Sequence, residues 1–386
     1  MHFIPRQWIE WRADRIEDPV ARLRFLRQEM ADRPERFATI RLAWRGGKWQ
    51  TLTVILLLAC MLIPGYKVSD TQDRLVLSSM GRASAASVDV FTDVWPVDKT
   101  KDFETYSNGL RIDNRHALSY QPRVFYPVYQ RTAIDPDQPE WRSQPAGIVF
   151  HTTESDQARF VEDQNKKLKR IGEEVLTFVA RNHCYHYLID RFGQVFRVVP
   201  ETDVANHSGN SVWADDNVIY VNLNSSFLGI AFETQTKKGE ELPSANAAQI
   251  HAARILTQML RGKYHIPASN CVTHAQVSVN PSNMLVGYHT DWAGNFPFLE
   301  LGLNDNYTTP PPSIYAFGFD YDPAFVHATG VRIWQGLALA EDQMRAQAAG
   351  QGLPVSEYRS MLQKKYKEIM ATLKASSAAK ETSHAT

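Results

Sequence analysis

GIVFHTTES, residues 147–155, is the stretch on which the fold turns. An unbroken apolar run that ends at a histidine and a polar turn reads as a buried strand, because a strand covered on both faces loses the in–out alternation of a half-exposed one. FLGIAFE, residues 227–233, carries the same signature. Between the two, YHYLIDRFGQVFRVV (185–199) reads as a hairpin, two alternating strands around an Arg-Phe-Gly-Gln turn. The polar stretch from Ser155 leads into a helix through VLTFVARN (175–182). Ser244 is expected to cap another over Ala245–Gly262, in which Ile250, Ile255, Leu256 and Met259 recur near helical spacing. Strands interleaved with helices over residues 146–303 predict one α/β domain, a central mixed β-sheet flanked by helices.

Outward from this domain the signals thin. Residues 67–145 mix polar turns with VFTDVWPV (90–97) and RVFYPVYQR (123–131), and read as a stalk and N-terminal extension ending in strands packed on the domain. Residues 304–386 open with TTPPPS (308–313), a stiff linker by composition. Two amphipathic helices follow, within 331–349 and 356–375, broken by Gly350, Gly352 and Pro354, and SSAAKETSHAT (376–386) reads as a disordered tail.

The N-terminal side holds a different kind of signal. Residues 49–66, WQTLTVILLLACMLIPGY, lack any charge between Lys48 and Lys67. As a helix they would rise about 27 Å, close to the roughly 30 Å hydrocarbon thickness of a bilayer. Trp49 and Tyr66 stand where interfacial aromatics stand, and Arg41, Arg45 and Lys48 place residues 1–48 on the cytoplasmic side. The expectation is a single transmembrane helix in a bacterial inner membrane, with the N-terminus cytoplasmic and the rest extracytoplasmic. A signal peptide would carry a shorter leader.

Lys plus Arg number 42 and Asp plus Glu 42, so no global charge excess points to nucleic acid or to disorder. Of the three cysteines, Cys60 lies in the apolar stretch; Cys184 and Cys271 are left as either a disulfide or two thiols.

Three histidines and an aspartate stand out by setting: His151 after the strand GIVF, His274 in CVTHAQVS, and His289 with Asp291 in GYHTDWAGNFPF. Catalytic zinc takes three protein ligands and leaves a fourth position for water. Spacing alone would not select these from twelve histidines. The segments GIVFHTTES, CYHYLIDRFGQVFRVVP, ANHSGNS, FLGIAFE, VTHAQVS and HTDWAGNFPF, in that order, resemble the type 2 N-acetylmuramoyl-L-alanine amidase family, which includes peptidoglycan recognition proteins; the resemblance covers residues 146–303.

The resemblance implies His151, His274 and Asp291 as zinc ligands and Tyr185 and His289 as catalytic groups, with His289 standing where relatives carry a Lys. It implies His207 in the substrate groove, with Asn206 beside it. Two departures matter. Asp291 is followed by Trp-Ala-Gly where Pro-Gly is usual, and Ala231 occupies a position that holds a catalytic Glu in one branch. Glu233, two residues on and on the same strand face, is the candidate acid/base in its place. A charged His289 would bring an earlier alkaline loss of activity than a Lys would.

The expected function is zinc-dependent hydrolysis of the amide between N-acetylmuramic acid and L-alanine of peptidoglycan stem peptides, with Zn2+ as cofactor. Expected partners are peptidoglycan or muropeptides and, through one helix, the membrane, with no nucleic acid. The competing reading is a non-catalytic, membrane-tethered peptidoglycan-binding module or scaffold.

Overall fold

The computed structural model describes residues 89–236, 244–321, 323–329 and 334–384. The apolar stretch 49–66 lies outside them, and among the described residues no helix is long and apolar enough to cross a membrane. An eight-stranded sheet forms the frame. In spatial order it runs β1 (Pro96–Lys99), β2 (Phe103–Tyr106), β3 (Arg111–Asp113), β8 (Val195–Arg197), β7 (Tyr187–Ile189), β11 (Phe227–Phe232), β6 (Gly147–Thr152) and β12 (Cys271–Thr273). β11 lies parallel to β6 and β7, and β12 parallel to β6, while β7 and β8 form the expected antiparallel hairpin. In the hairpin turn Gly193 takes a φ of +81°, and the Asp190 carboxylate accepts the N–H groups of Phe192 and Gln194.

Both strands that opened the sequence reading are buried along their whole length. Their residues alternate between two cores. Ile148, Phe150, Leu228, Ile230 and Phe232 meet Ala253, Leu256, Met259 and Leu260 of α2 (Ala247–Tyr264). On the other face Leu188 and Ala231 meet Leu176 and Val179 of α1 (Asn165–Arg181), and Val149 and Phe227 meet a smaller antiparallel sheet. That sheet runs β9 (Val212–Ala214), β10 (Val218–Val221), β4 (Tyr126–Gln130) and β5 (Glu140–Arg142). The result is the mixed α/β architecture expected. α2 begins two residues later than expected: Asn246, not Ser244, is its cap, exchanging hydrogen bonds with Gln249 in a capping box.

Three regions differ from the sequence reading. The described part of the supposed stalk supplies β1, β2 and β3 to the main sheet, where Ile112 pairs with Val195, and β4 and β5 to the smaller one. These strands are short and partly exposed, so they carry no strong alternating pattern. The Pro-rich run is not a linker: α4 (Pro312–Tyr315) is buried with Ala316, Phe317 and Phe319 in a shared core. The apolar residues that follow the prolines win over the composition of the run itself. The tail expected to be disordered continues the last helix, α6 (Val355–His384). α6 and α5 (Gln335–Gly350) are joined to the loop at 318–320 by Arg359, which bonds Glu341 at 2.9 Å and the Phe319 carbonyl at 2.6 Å. Cys184 and Cys271 are free thiols.

Candidate metal centre and active site

Three separate segments bring His151, His274 and Asp291 together. His151 ends β6, in register with Ala231 of β11. His274 opens the short helix α3 (His274–Val277) directly after β12, where Gln276 secures the turn by accepting the Thr273 N–H at 2.9 Å. Asp291 comes from the loop that follows, tied to α3 by the Ala275 N–H donating to its carbonyl at 3.2 Å. The candidate ligand atoms all lie within 4.8 Å of one another, and all three residues are buried. Nδ1 of His274 is 2.9 Å from one carboxylate oxygen of Asp291, and Nδ1 of His151 is 3.2 Å from the other.

The electrostatics suit a cation. Burial, and then the neighbouring His274, push the His151 imidazole down to about 4, which leaves it neutral at pH 7. Burial alone would raise the Asp291 carboxyl, but His274 beside it holds it far below the usual carboxylate range. Two imidazoles and one carboxylate form the donor set. Among the described residues the ion-pair partners of Asp291 are these two histidines. Such a donor set fits zinc with a position left open for water.

The open side faces a cleft of about 350 Å3 lined by Tyr185, Asn206, His207, His289, Glu154 and Asn224, with Thr152, Thr153, Ser208 and Gly209 between them. The Tyr185 ring lies 4.9 Å from that of His151, and Tyr185 takes a left-handed φ of 62° that points it there. Burial raises its hydroxyl well above the ordinary tyrosine value. His289 stacks on His274 at 4.5 Å, and Ser278 fixes its backbone through both the N–H and the carbonyl. Asn206 is exposed at the rim, its amide donating to the Asn182 carbonyl. His207 is more deeply set than a groove residue. Both its ring nitrogens meet protein atoms, His151 Nε2 at 3.2 Å and the Phe227 carbonyl at 3.2 Å.

Glu233 is not brought to this cleft. Its carboxylate accepts the Arg191 N–H at 3.2 Å and lies against Gly172 of α1, 3% exposed. The carboxylate that does line the cleft is Glu154, which the sequence reading passed over although it stands in the quoted HTTES. One of its oxygens accepts from Thr152 and from the backbone and side chain of Thr236.

The Trp-Ala-Gly path after Asp291 is held from outside the loop. Trp292 adopts a φ of 56° and is buried, and its carbonyl accepts from the Tyr307 hydroxyl at 2.6 Å. The next carbonyl, of Ala293, accepts from the Trp334 indole at 2.9 Å. Ahead of the ligand, Gly287 with a φ of +70° leaves room for Phe325; a Cβ there would fall 1.9 Å from its ring.

Residues 141–291 match the family model of N-acetylmuramoyl-L-alanine amidase. Among solved structures the chain is similar to AmiD from E. coli, in complex with anhydro-N-acetylmuramic acid-L-Ala-D-gamma-Glu-L-Lys, at 18% identity over 64% of this chain and 98% of that one, with a TM-score of 0.34. It is also similar to AmpDh3 from Pseudomonas aeruginosa, in complex with anhydromuramic pentapeptide, at 20% identity over 56% and 88%, TM-score 0.34. A third is the amidase LysC from Clostridium intestinale URNW, at 20% identity over 48% and 92%, TM-score 0.26. No curated protein matches.

Proposed function

We propose, taking residues 141–291 as the N-acetylmuramoyl-L-alanine amidase domain that the family match makes them, that the protein is a zinc-dependent amidase cutting between N-acetylmuramic acid and L-alanine of peptidoglycan stem peptides. The observation that carries this reading is the convergence of two imidazoles and one carboxylate beside a cleft. Zinc, when bound, polarises the amide carbonyl and lowers the pKa of water from about 15.7 towards 7.

The chain's own groups supply the rest. His151, His274 and Asp291 hold the ion. The Tyr185 hydroxyl, kept protonated by burial, is a donor for the oxygen that gains negative charge. Burial and His274 push the His289 imidazole below its ordinary value, so it faces the cleft as a neutral ring at pH 7 rather than as the imidazolium that replacement of Lys suggested. The leaving amine needs a proton, and Glu154 and His289 are the titratable side chains lining the cleft beside Tyr185, His207 and the ligands.

The same reading places residues 49–66 as one membrane helix with the domain on the outer side, where peptidoglycan lies. Protease added to intact spheroplasts should then reach the domain but not residues 1–48; the reverse pattern removes this placement.

Zinc content and cleavage of wall fragments, measured side by side on the protein and on His274→Ala, test the activity. Stoichiometric zinc with muramyl–alanine cleavage that the variant loses is the expected result. Zinc without cleavage would leave a binding module, and absence of zinc would overturn the metal centre.

A further inference from the structure

We propose that His207 is a positioning residue for the metal, holding the ligand His151 in one tautomer and one heading, instead of a residue that binds substrate. This rests on the zinc reading above. A row of hydrogen-bonded atoms sets the tautomer. Nε2 of His207 lies 3.2 Å from the Phe227 carbonyl oxygen, which can only accept, so Nε2 carries the hydrogen. A neutral imidazole has one N–H; Nδ1 of His207 is therefore a lone pair. That lone pair lies 3.2 Å from Nε2 of His151, which must donate to it. His151 is left with its own lone pair on Nδ1, the atom 3.2 Å from the Asp291 carboxylate. Lone pair then faces carboxylate oxygen, an arrangement that repels until a cation lies between them.

The ring of His207 is built into place. Asn224 accepts both the His207 N–H, at 2.9 Å, and the Ser208 N–H, at 2.6 Å. Beneath the ring β11 presents Gly229, where a Cβ would fall 2.7 Å from Cγ of His207. His186 closes the far side with its ring 5.6 Å away and its Nδ1 taking the Gly229 N–H at 2.9 Å. The nitrogens of its ring meet a histidine and a carbonyl oxygen, with no carboxylate among their hydrogen-bond partners in the described residues. With both nitrogens engaged by protein, neither is left for a muropeptide. Outer partners of this kind orient a metal-bound imidazole and raise its basicity.

The test is the zinc dissociation constant of the full-length protein, measured by competition with a chromophoric chelator, with thermal unfolding as the check on folding. His207→Leu removes the acceptor and should weaken zinc binding about 10–100-fold, while His207→Asn, whose Oδ1 can stand where Nδ1 stood, should stay within about threefold of the parent. Gly229→Ala, which displaces the ring without altering any ligand, should weaken binding as well and serves if His207→Leu does not fold. Unchanged zinc affinity in His207→Leu or Gly229→Ala overturns the proposal, as does equal loss in the Leu and Asn variants, and so does a rise in KM alone. If the parent itself binds no zinc, the metal reading fails before this one is reached.

Discussion

Arg197 and Asp291 are both charged groups buried against the same eight-stranded sheet, yet only one is surrounded by its own counter-charges. Arg197 reaches Glu104 and Glu201 at 3.0 Å each, and Asn114 at 2.6 Å. Lys99 and Lys263 join those carboxylates from the surface, and Tyr106 donates to Glu104 at 2.7 Å. Every charge there is met inside the protein. Among the described residues Asp291 has two histidine rings as its ion-pair partners, both of them candidate ligands, so its carboxylate is held by groups that a metal would share. A closed ionic cluster is a structural staple, whereas a donor set of imidazoles and carboxylate with an open side marks a site.

The largest effect is expected of Arg197→Met, which takes the buried guanidinium from Glu104 and Glu201 and leaves them Lys99 and Lys263 at the surface. It should cost about 3–5 kcal/mol in denaturant unfolding and leave zinc affinity unchanged. A matching loss of zinc would show that the two clusters are coupled. Next, zinc at about 1,000 times its dissociation constant should raise unfolding stability by about 4 kcal/mol, an increment that His274→Ala should erase and Arg197→Met should not. Trp334→Phe removes the indole donor to Ala293 and should cost about 1 kcal/mol, read by the same unfolding curves. Preserved stability would mean that the loop after Asp291 is held by packing alone.

The smallest effect concerns another buried carboxylate, Glu233. Glu233 stands apart from the metal centre, and burial outweighs the nearby Arg191, raising its pKa from 4.5 to about 7. The folded state holds its proton more tightly than the unfolded chain does. Its contribution to stability is therefore complete below pH 4.5 and lost as pH rises through about 7. Glu233→Gln should flatten the dependence of melting temperature on pH across that window, and an unchanged slope would remove this assignment.

The central strands were legible because burial on both faces leaves an unbroken apolar run, and the hairpin because Gly193 punctuates it. The convergence of His151, His274 and Asp291 was not legible from spacing, since three distant segments meet only through the parallel strand order; the resemblance of the flanking motifs carried that reading. Glu233 shows the limit of face counting. It shares a strand face with Ala231, but that face is covered by α1 at both positions. His207 escaped because nothing in NHSG tells a ring facing a groove from one lying behind a ligand. TTPPPS misled because proline reads as a spacer, while Ile314, Phe317 and Phe319 just beyond it are core.

Trp334, Met344 and Tyr366 share one core with Met284, Val286 and Ala293, the residues that flank the aspartate-bearing loop. A chain made from its N-terminus exposes Asp291 roughly 40 residues before Trp334, several seconds at about 5–20 residues per second, and α6 emerges later still. The helices that close this core are thus made after the ligands. A nascent chain holds all three ligands before it holds the tryptophan that steadies their loop, so the order of synthesis delays completion of this centre until Trp334 has emerged.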